Sequence, residues 1–327
     1  MSLPPLFLGN VVRWLVIVGC LLVLLPVVQE WTVNSPSSQG SILLLGNSTK
    51  TKKVSAYHDK WTKRMKELGM TQSLVQHQHY FERKDRIMES KAHFSLLYNF
   101  TTPFAAYRLT DKFCFRHIFK NGGTTVESQT RSKHITHEEA MKCDFWVVTV
   151  RDPIDHFFSG WRECGNRFPD QLSFPPGNLE QTKVAAYDAR VRFWLKHTKR
   201  FATEGKEVCR EKGYPLSVQA CACAAHSFAQ ANFLLDTESG DTNKTAVDNV
   251  EVVGDLHELP HLLRLVGFNF DDNLPSERNS TLYEHYDDFA KRLDLVSNET
   301  MLSICEFLKL DYFLFNFKMP EACASLG

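Results

Sequence analysis

Residues 113–125 read FCFRHIFKNGGTT. From Phe113 to Phe119 the run is apolar and aromatic, of strand length, and broken only by Arg116 and His117; it stops at Lys120, Asn121, Gly122 and Gly123. A strand running into a glycine turn is expected. Thr124, Thr125, Val126 and Glu127 then have the composition of a helix start, with hydroxyls where backbone N–H groups need partners and a carboxylate in the first turn. Strand, glycine loop and helix N-terminus together form an anion cradle: the glycines let the backbone approach, the N–H groups point outward, and the helix dipole favours negative charge. Lys120 adds a full positive charge at the lip. A nucleoside triphosphate loop, GxxxxGK[ST], carries its lysine after the glycines. Here Lys120 comes first, which disfavours ATP or GTP. Gly-Gly also marks plain turns, so the loop alone leaves both readings open.

Residues 143–161, CDFWVVTVRDPIDHFFSGW, bear on the choice. Phe145 to Val150 is a β-rich run bounded by Asp144 and by Arg151, Asp152 and Pro153. Asp152 and Pro153 suit a turn, and Pro at the first helical position starts a helix carrying His156, Phe157, Ser159, Gly160 and Trp161. Arg151 then sits at a strand's carboxyl end. If the two strands are neighbours in a parallel sheet, it lies beside the glycine loop, on the edge where such sheets bind ligands.

HIFKNGGTT followed by VVTVRDPIDHFFSGW resembles the two nucleotide-binding motifs of the Golgi carbohydrate sulfotransferases, with the glycine loop closest to the heparan sulfate 6-O type. The resemblance implies that the first motif grips the 5′-phosphosulfate of 3′-phosphoadenosine 5′-phosphosulfate (PAPS), through Lys120, Asn121, Gly122, Gly123, Thr124 and Thr125. It implies that Arg151 and Ser159 grip the 3′-phosphate. PAPS is anionic at both ends and needs two cradles, and arginine offers planar bidentate donors to a phosphate. Many relatives carry Pro where Ile118 or Phe119 falls, and a basic residue near Asp155 or His156; here they are absent. The similarity continues weakly in SFAQANFLLD, and returns in VEVVGDLHELPHLLRLVGF and CEFLKLDYFLFNF, covering roughly Lys112 to Cys323 with the middle third unmatched.

The whole chain has 327 residues, 43% of them hydrophobic, enough for one large domain with an N-terminal appendage. Its net charge is zero, so no global field argues for nucleic acid. Trp14 to Val28, WLVIVGCLLVLLPVV, is an uncharged apolar run read as a signal anchor, the rival being a cleaved signal peptide. The organisation expected is a cytoplasmic tail over 1–13, a transmembrane helix over 14–28, a Ser- and Gly-rich lumenal stem over 29–55 and a lumenal catalytic domain over 56–327. With the Golgi setting that the resemblance implies, a single-pass type II membrane protein is expected. Sequons at Asn47, Asn99, Asn243, Asn279 and Asn298 fit a lumenal body. So do eight cysteines beyond Cys20, an even number read as structural disulfides of open connectivity. Residues 56–95 have a helical, charged pattern and read as a helix docking on the core, the rival being an oligomerisation segment.

A transferase acting on a sugar hydroxyl benefits from a base of near-neutral pKa. His137 is the first choice, with His134 and Glu138 as rivals in the loop before the second motif; against this, Thr136 and Glu139 spell a helix capping box, which needs no function. Leu179 to Phe201 is helical in pattern, and Arg192, Lys196, Lys199 and Arg200 on its polar face would hold an acidic glycan acceptor or be merely solvated. Cys164 to Gly177 reads as a loop, Cys209 to Cys223 as a disulfide-bearing loop over the site, Asn249 to Gly254 as a strand, Leu256 to Val266 as a helix ended by Gly267, and Leu302 to Leu314 as a closing helix.

The fold expected is α/β, a central mostly parallel sheet with helices on both faces, resembling the P-loop nucleotide-kinase architecture of sulfotransferases. The reaction expected is in-line sulfuryl transfer from PAPS to a glycan hydroxyl, with Lys120 stabilising the leaving phosphate and no metal required. The rival classes are a kinase-like phosphotransferase and a non-catalytic lumenal protein that binds glycan or 3′-phosphoadenosine 5′-phosphate (PAP).

Overall fold

The computed structural model describes Tyr80 and residues 82–87, 105–131, 133–172, 183–234, 250–274 and 289–326. Along the chain the elements are β1 (Ala106–Arg108), β2 (Phe113–Arg116), α1 (Gly123–Thr130), α2 (His137–Ala140), β3 (Phe145–Val150) and α3 (Pro153–Arg167). Then come α4 (Pro169–Leu172), α5 (Lys183–Glu204), α6 (Val218–Ala222), α7 (Ala231–Leu234), β4 (Val250–Asp255), α8 (Leu259–Leu265), α9 (Asn298–Phe307) and α10 (Lys309–Phe315). The protein is an α/β fold with a four-stranded, mostly parallel sheet flanked by helices, in the order β1-β2-β3-β4.

Every residue of β3 is buried, as a central parallel strand requires, and FWVVTV supplies a β-branched or aromatic residue at each position. It pairs in parallel with β2, Phe113 facing Phe145 and Phe115 facing Val147, and in parallel with β4 on its other side. The two motif strands are therefore neighbours, and their carboxyl ends open on one edge. β1 is the antiparallel edge, and Ile135 adds a single bridge to Ala106.

Four disulfides join all eight cysteines beyond Cys20: Cys114–Cys143, Cys164–Cys223, Cys209–Cys221 and Cys305–Cys323. Cys114–Cys143 ties β2 to the segment entering β3. Cys221 and Cys223, two residues apart, go to different partners, so the segment carrying them is pinned to both the 205–210 turn and α3.

Several boundaries differ from the sequence reading. β2 ends at Arg116, whose buried guanidinium donates to the carbonyls of Ala105 (3.0 Å) and Phe233 (2.9 Å), and residues 117–122 belong to the loop. α3 runs on to Arg167, through part of the expected loop, because Gly165 lets Phe289 pack on the helix and Cys164 is bonded to Cys223. α5 starts at Lys183 and buries Tyr187, Val191, Trp194 and Leu195. The closing helix is two, broken at Leu308.

The tail, the anchor run Trp14 to Val28 and the stem lie outside the described residues, as do Asn47, Asn99, Asn243 and Asn279. Asn298 is exposed at the first turn of α9. Among the described residues no helix is long and apolar enough to cross a membrane. Tyr80 and residues 82–87 are helical and dock: Tyr80 Oη donates to Glu258 (3.1 Å), and Arg83 bonds Asp255 and the Phe315 carbonyl.

Candidate anion-binding site

Between β2 and α1 the backbone makes a turn that few sequences allow. Lys120 has φ 65° and Gly122 φ 85°, both left-handed. Gly122 is the N-cap of α1, and a Cβ there would lie 2.6 Å from a Leu259 methyl group besides being strained. At Gly123 a Cβ would fall 2.0–2.3 Å from the His117 ring, so the imidazole packs against the first residue of α1. Its N-cap, Gly122, offers no capping side chain. Because the helix begins at Gly123, Glu127 falls beyond its first turn, contrary to expectation, and accepts from Tyr107 Oη instead (3.3 Å). The positive end of α1 thus carries no carboxylate of its own.

Asn121, read from the sequence as a ligand contact, is fully buried. Its amide nitrogen donates to the Thr149 carbonyl (3.0 Å) and to Gln230 Oε1 (2.6 Å), its carbonyl accepts from Thr149 Oγ1 (2.7 Å), and its Oδ1 meets His156 Nδ1 at 3.2 Å. With both amide protons used, Oδ1 can only accept, so His156 Nδ1 carries a proton; burial, then Arg151, hold that imidazole well below its ordinary pKa and neutral. Gln230 also accepts from Arg151 N (2.9 Å) and donates to Arg151 O (2.8 Å). Asp311, pushed up to about 7 by burial, accepts from the backbone N–H groups of Gln230 and Ala231. Asn121 and Gln230 therefore rivet the glycine loop to the Arg151 turn.

The glycine loop opens into a cleft of about 520 Å³ that Lys120, Thr124, Thr125 and the two glycines line, together with His117, Glu163, His226 and His257. Lys120 Nζ is 2.9 Å from Glu163 Oε2, and Arg167 pairs with the other carboxylate oxygen. His117 Nδ1 faces His134 Nε2 at 3.4 Å. Burial, then His134 and the nearby cations, push His117 down to about 3. Burial also lowers His226, whose ring stacks on Phe119, to about 4. Both are neutral near pH 7.

A second recess of about 190 Å³ sits at the end of β3, lined by Arg151, Asp155, Phe158, Ser159, Arg162 and Lys291. The two sequence-derived residues, Arg151 and Ser159, are brought together here. Burial lowers the Arg151 guanidinium from its ordinary value, with Asp155 opposing. An Arg151 Nη1 contact to the Lys120 carbonyl (3.5 Å) links this recess to the glycine loop.

His137 does not line either recess: it is the first residue of α2, and its ring meets Trp146 edge-on. The capping box of Thr136 and Glu139 is present. Glu138 is exposed. His134 reaches the cleft only through His117. On α5, Arg192 pairs with Asp188, and Arg200 with Glu204 and Glu211, so half of the expected basic face is neutralised locally; Lys196 and Lys199 stand beside them. The sequence reading missed Glu163, His226, Arg162 and Lys291 as lining residues, and Gln230 and Asp311 as supports. An i, i+4 stripe of Asp155, Ser159 and Glu163 along the motif helix is a usable signal for the first; Arg162 lies on the same helix, and the others arrive from remote segments.

No family model, curated protein or solved structure matches the chain.

Proposed function

We propose that the protein transfers a sulfuryl group from PAPS to a glycan hydroxyl, as a member of the Golgi carbohydrate sulfotransferases with their P-loop nucleotide-kinase-like fold. The observation that carries this reading is the pair of cation-lined recesses at the carboxyl ends of adjacent parallel strands, joined through Asn121, Gln230 and Arg151. A donor anionic at both ends fits two cradles better than a single phosphate does. The glycine loop suits the 5′ end, since Lys120, Thr124, Thr125 and both glycines line its cleft. Arg151, Ser159, Arg162 and Lys291 suit the 3′-phosphate. Bound PAPS supplies a sulfur electrophile on a phosphate leaving group.

Lys120 and the α1 N–H groups stabilise charge growing on that phosphate as the sulfur–oxygen bond breaks. The acceptor hydroxyl gives up its proton as its oxygen attacks. Neutral His117, with Nε2 against Gly123, takes that proton and passes its Nδ1 proton to His134 Nε2, and His134 releases its own Nδ1 proton to solvent. Arg151 and Ser159 hold the donor by proximity. A Golgi lumenal setting, with Trp14 to Val28 as anchor, is supported by the four disulfides.

Transfer of radiolabelled sulfate from PAPS to a panel of sulfated and unsulfated glycans tests this reading. His117→Ala should lose about 10²-fold or more in kcat, and His134→Ala less. A base must be neutral to act, so its acid limb follows its pKa. In kcat/KM that limb should lie far below the ordinary histidine value of 6.5, following the value of about 3. In kcat it should lie at higher pH, because a bound anion favours the imidazolium. No transfer to any acceptor, or an unchanged His117→Ala, contradicts the mechanism.

A further inference from the structure

α3 lays a carboxylate into each recess, and each is paired with a lysine from a distant part of the chain. Asp155, Ser159 and Glu163 are spaced i, i+4, i+8 and climb one side of the helix. At one end Asp155 pairs with Lys291; at the other Glu163 pairs with Lys120 at 2.9 Å. Neither lysine is placed casually. Lys120 sits in a left-handed turn riveted by Asn121. Lys291 follows Phe289, which is buried against Trp161 and Gly165, and is bracketed by Tyr187 Oη donating to Ala290 O (2.7 Å) and accepting from Arg292 N (3.0 Å).

A carboxylate inside an anion recess opposes the anion, so its presence needs a reason. A partly buried ammonium is costly without a counter-charge, and the carboxylate provides one. An entering phosphate must then outcompete it. We propose that Glu163 and Asp155 are exchangeable counter-ions, one per recess, that make the cleft selective for an anion charged at both ends. A ligand with one charged end frees one lysine; a ligand with two frees both. This rests on reading the recesses as the two ends of one donor site.

The full-length protein is titrated with PAP, with AMP and with sodium sulfate, as wild type, Glu163→Gln and Asp155→Asn. Glu163→Gln should bind all three more tightly, by about 3- to 10-fold, since its carboxylate is only 8% exposed and weakly screened. Asp155→Asn should tighten PAP but not AMP, by about 2-fold, because that pair is 37–42% exposed. In a Lys120→Ala background the Glu163→Gln gain should vanish. Unchanged or weaker binding by a natively melting Glu163→Gln protein overturns the proposal, as does an Asp155→Asn effect equal on AMP and PAP. The exposed Asp155 arm keeps the test available if Glu163→Gln does not fold. If wild type binds neither nucleotide, the donor reading fails, and sulfate decides the exchange alone: tighter sulfate in Glu163→Gln upholds it, unchanged sulfate overturns it.

Discussion

Lys120→Ala should lower turnover by about 10²- to 10³-fold while the protein still folds, the scale set by removing one preorganised charge donor from a developing oxyanion. The lysine is the full positive charge on the loop that α1 and the two glycines build, and its φ of 65° fixes where the ammonium starts from. Alanine keeps the same backbone strain, so the substitution tests the charge rather than the turn. Glu163 retains Arg167 as a partner, which limits the cost to stability. Single-turnover rates at saturating PAPS, read beside a thermal melt, separate the two effects. Near-normal turnover with a native melt removes Lys120 from the chemistry.

Asn121→Ala should act the opposite way, through structure first. The side chain is fully buried and joins three segments through Thr149, Gln230 and His156. Truncation leaves the Thr149 carbonyl and the His156 Nδ1 proton without this partner in a fully buried site. A loss of about 3 kcal/mol is expected, or a Tm drop of about 6–12 °C. Because Gln230 holds Arg151 N and O, the second recess should loosen with the first, and affinity for PAP should fall even where the protein remains folded. A melting temperature within about 2 °C of wild type would contradict the rivet, since surface substitutions stay in that range.

This division of labour was only partly visible in the chain. Phe145–Val150 could be read as a buried strand because six apolar or β-branched residues stand between charged boundaries, and the structure gives those bounds unchanged. The glycine loop is legible from composition, although its strand ends at Arg116 and not at Phe119. Arg116 and His117 look alike in sequence as interruptions, yet Arg116 is buried against two carbonyls while His117 packs against Gly123. Nothing local distinguishes them. The family resemblance implies Asn121 as a ligand contact, and only the neighbouring strand's Thr149 and the remote Gln230 show what its amide does. Lys291 could not be found at all without the fold, since Phe289 and Tyr187 deliver it from the far side of the chain. The histidine at the cleft was likewise hidden: His137 has the spacing of a loop base, but its capping box turns it to Trp146.

The central claim is that Arg151 and its neighbours hold a 3′-phosphate while the glycine loop holds the 5′ end. Calorimetric titration of the full-length protein with PAP, beside Arg151→Ala and with AMP as the ligand lacking the 3′-phosphate, tests it most directly. Micromolar PAP binding that Arg151→Ala weakens by about 10-fold or more, with AMP binding little affected, is the result expected. A folded wild-type protein that does not bind PAP, or an Arg151→Ala variant that binds it equally well, contradicts the account.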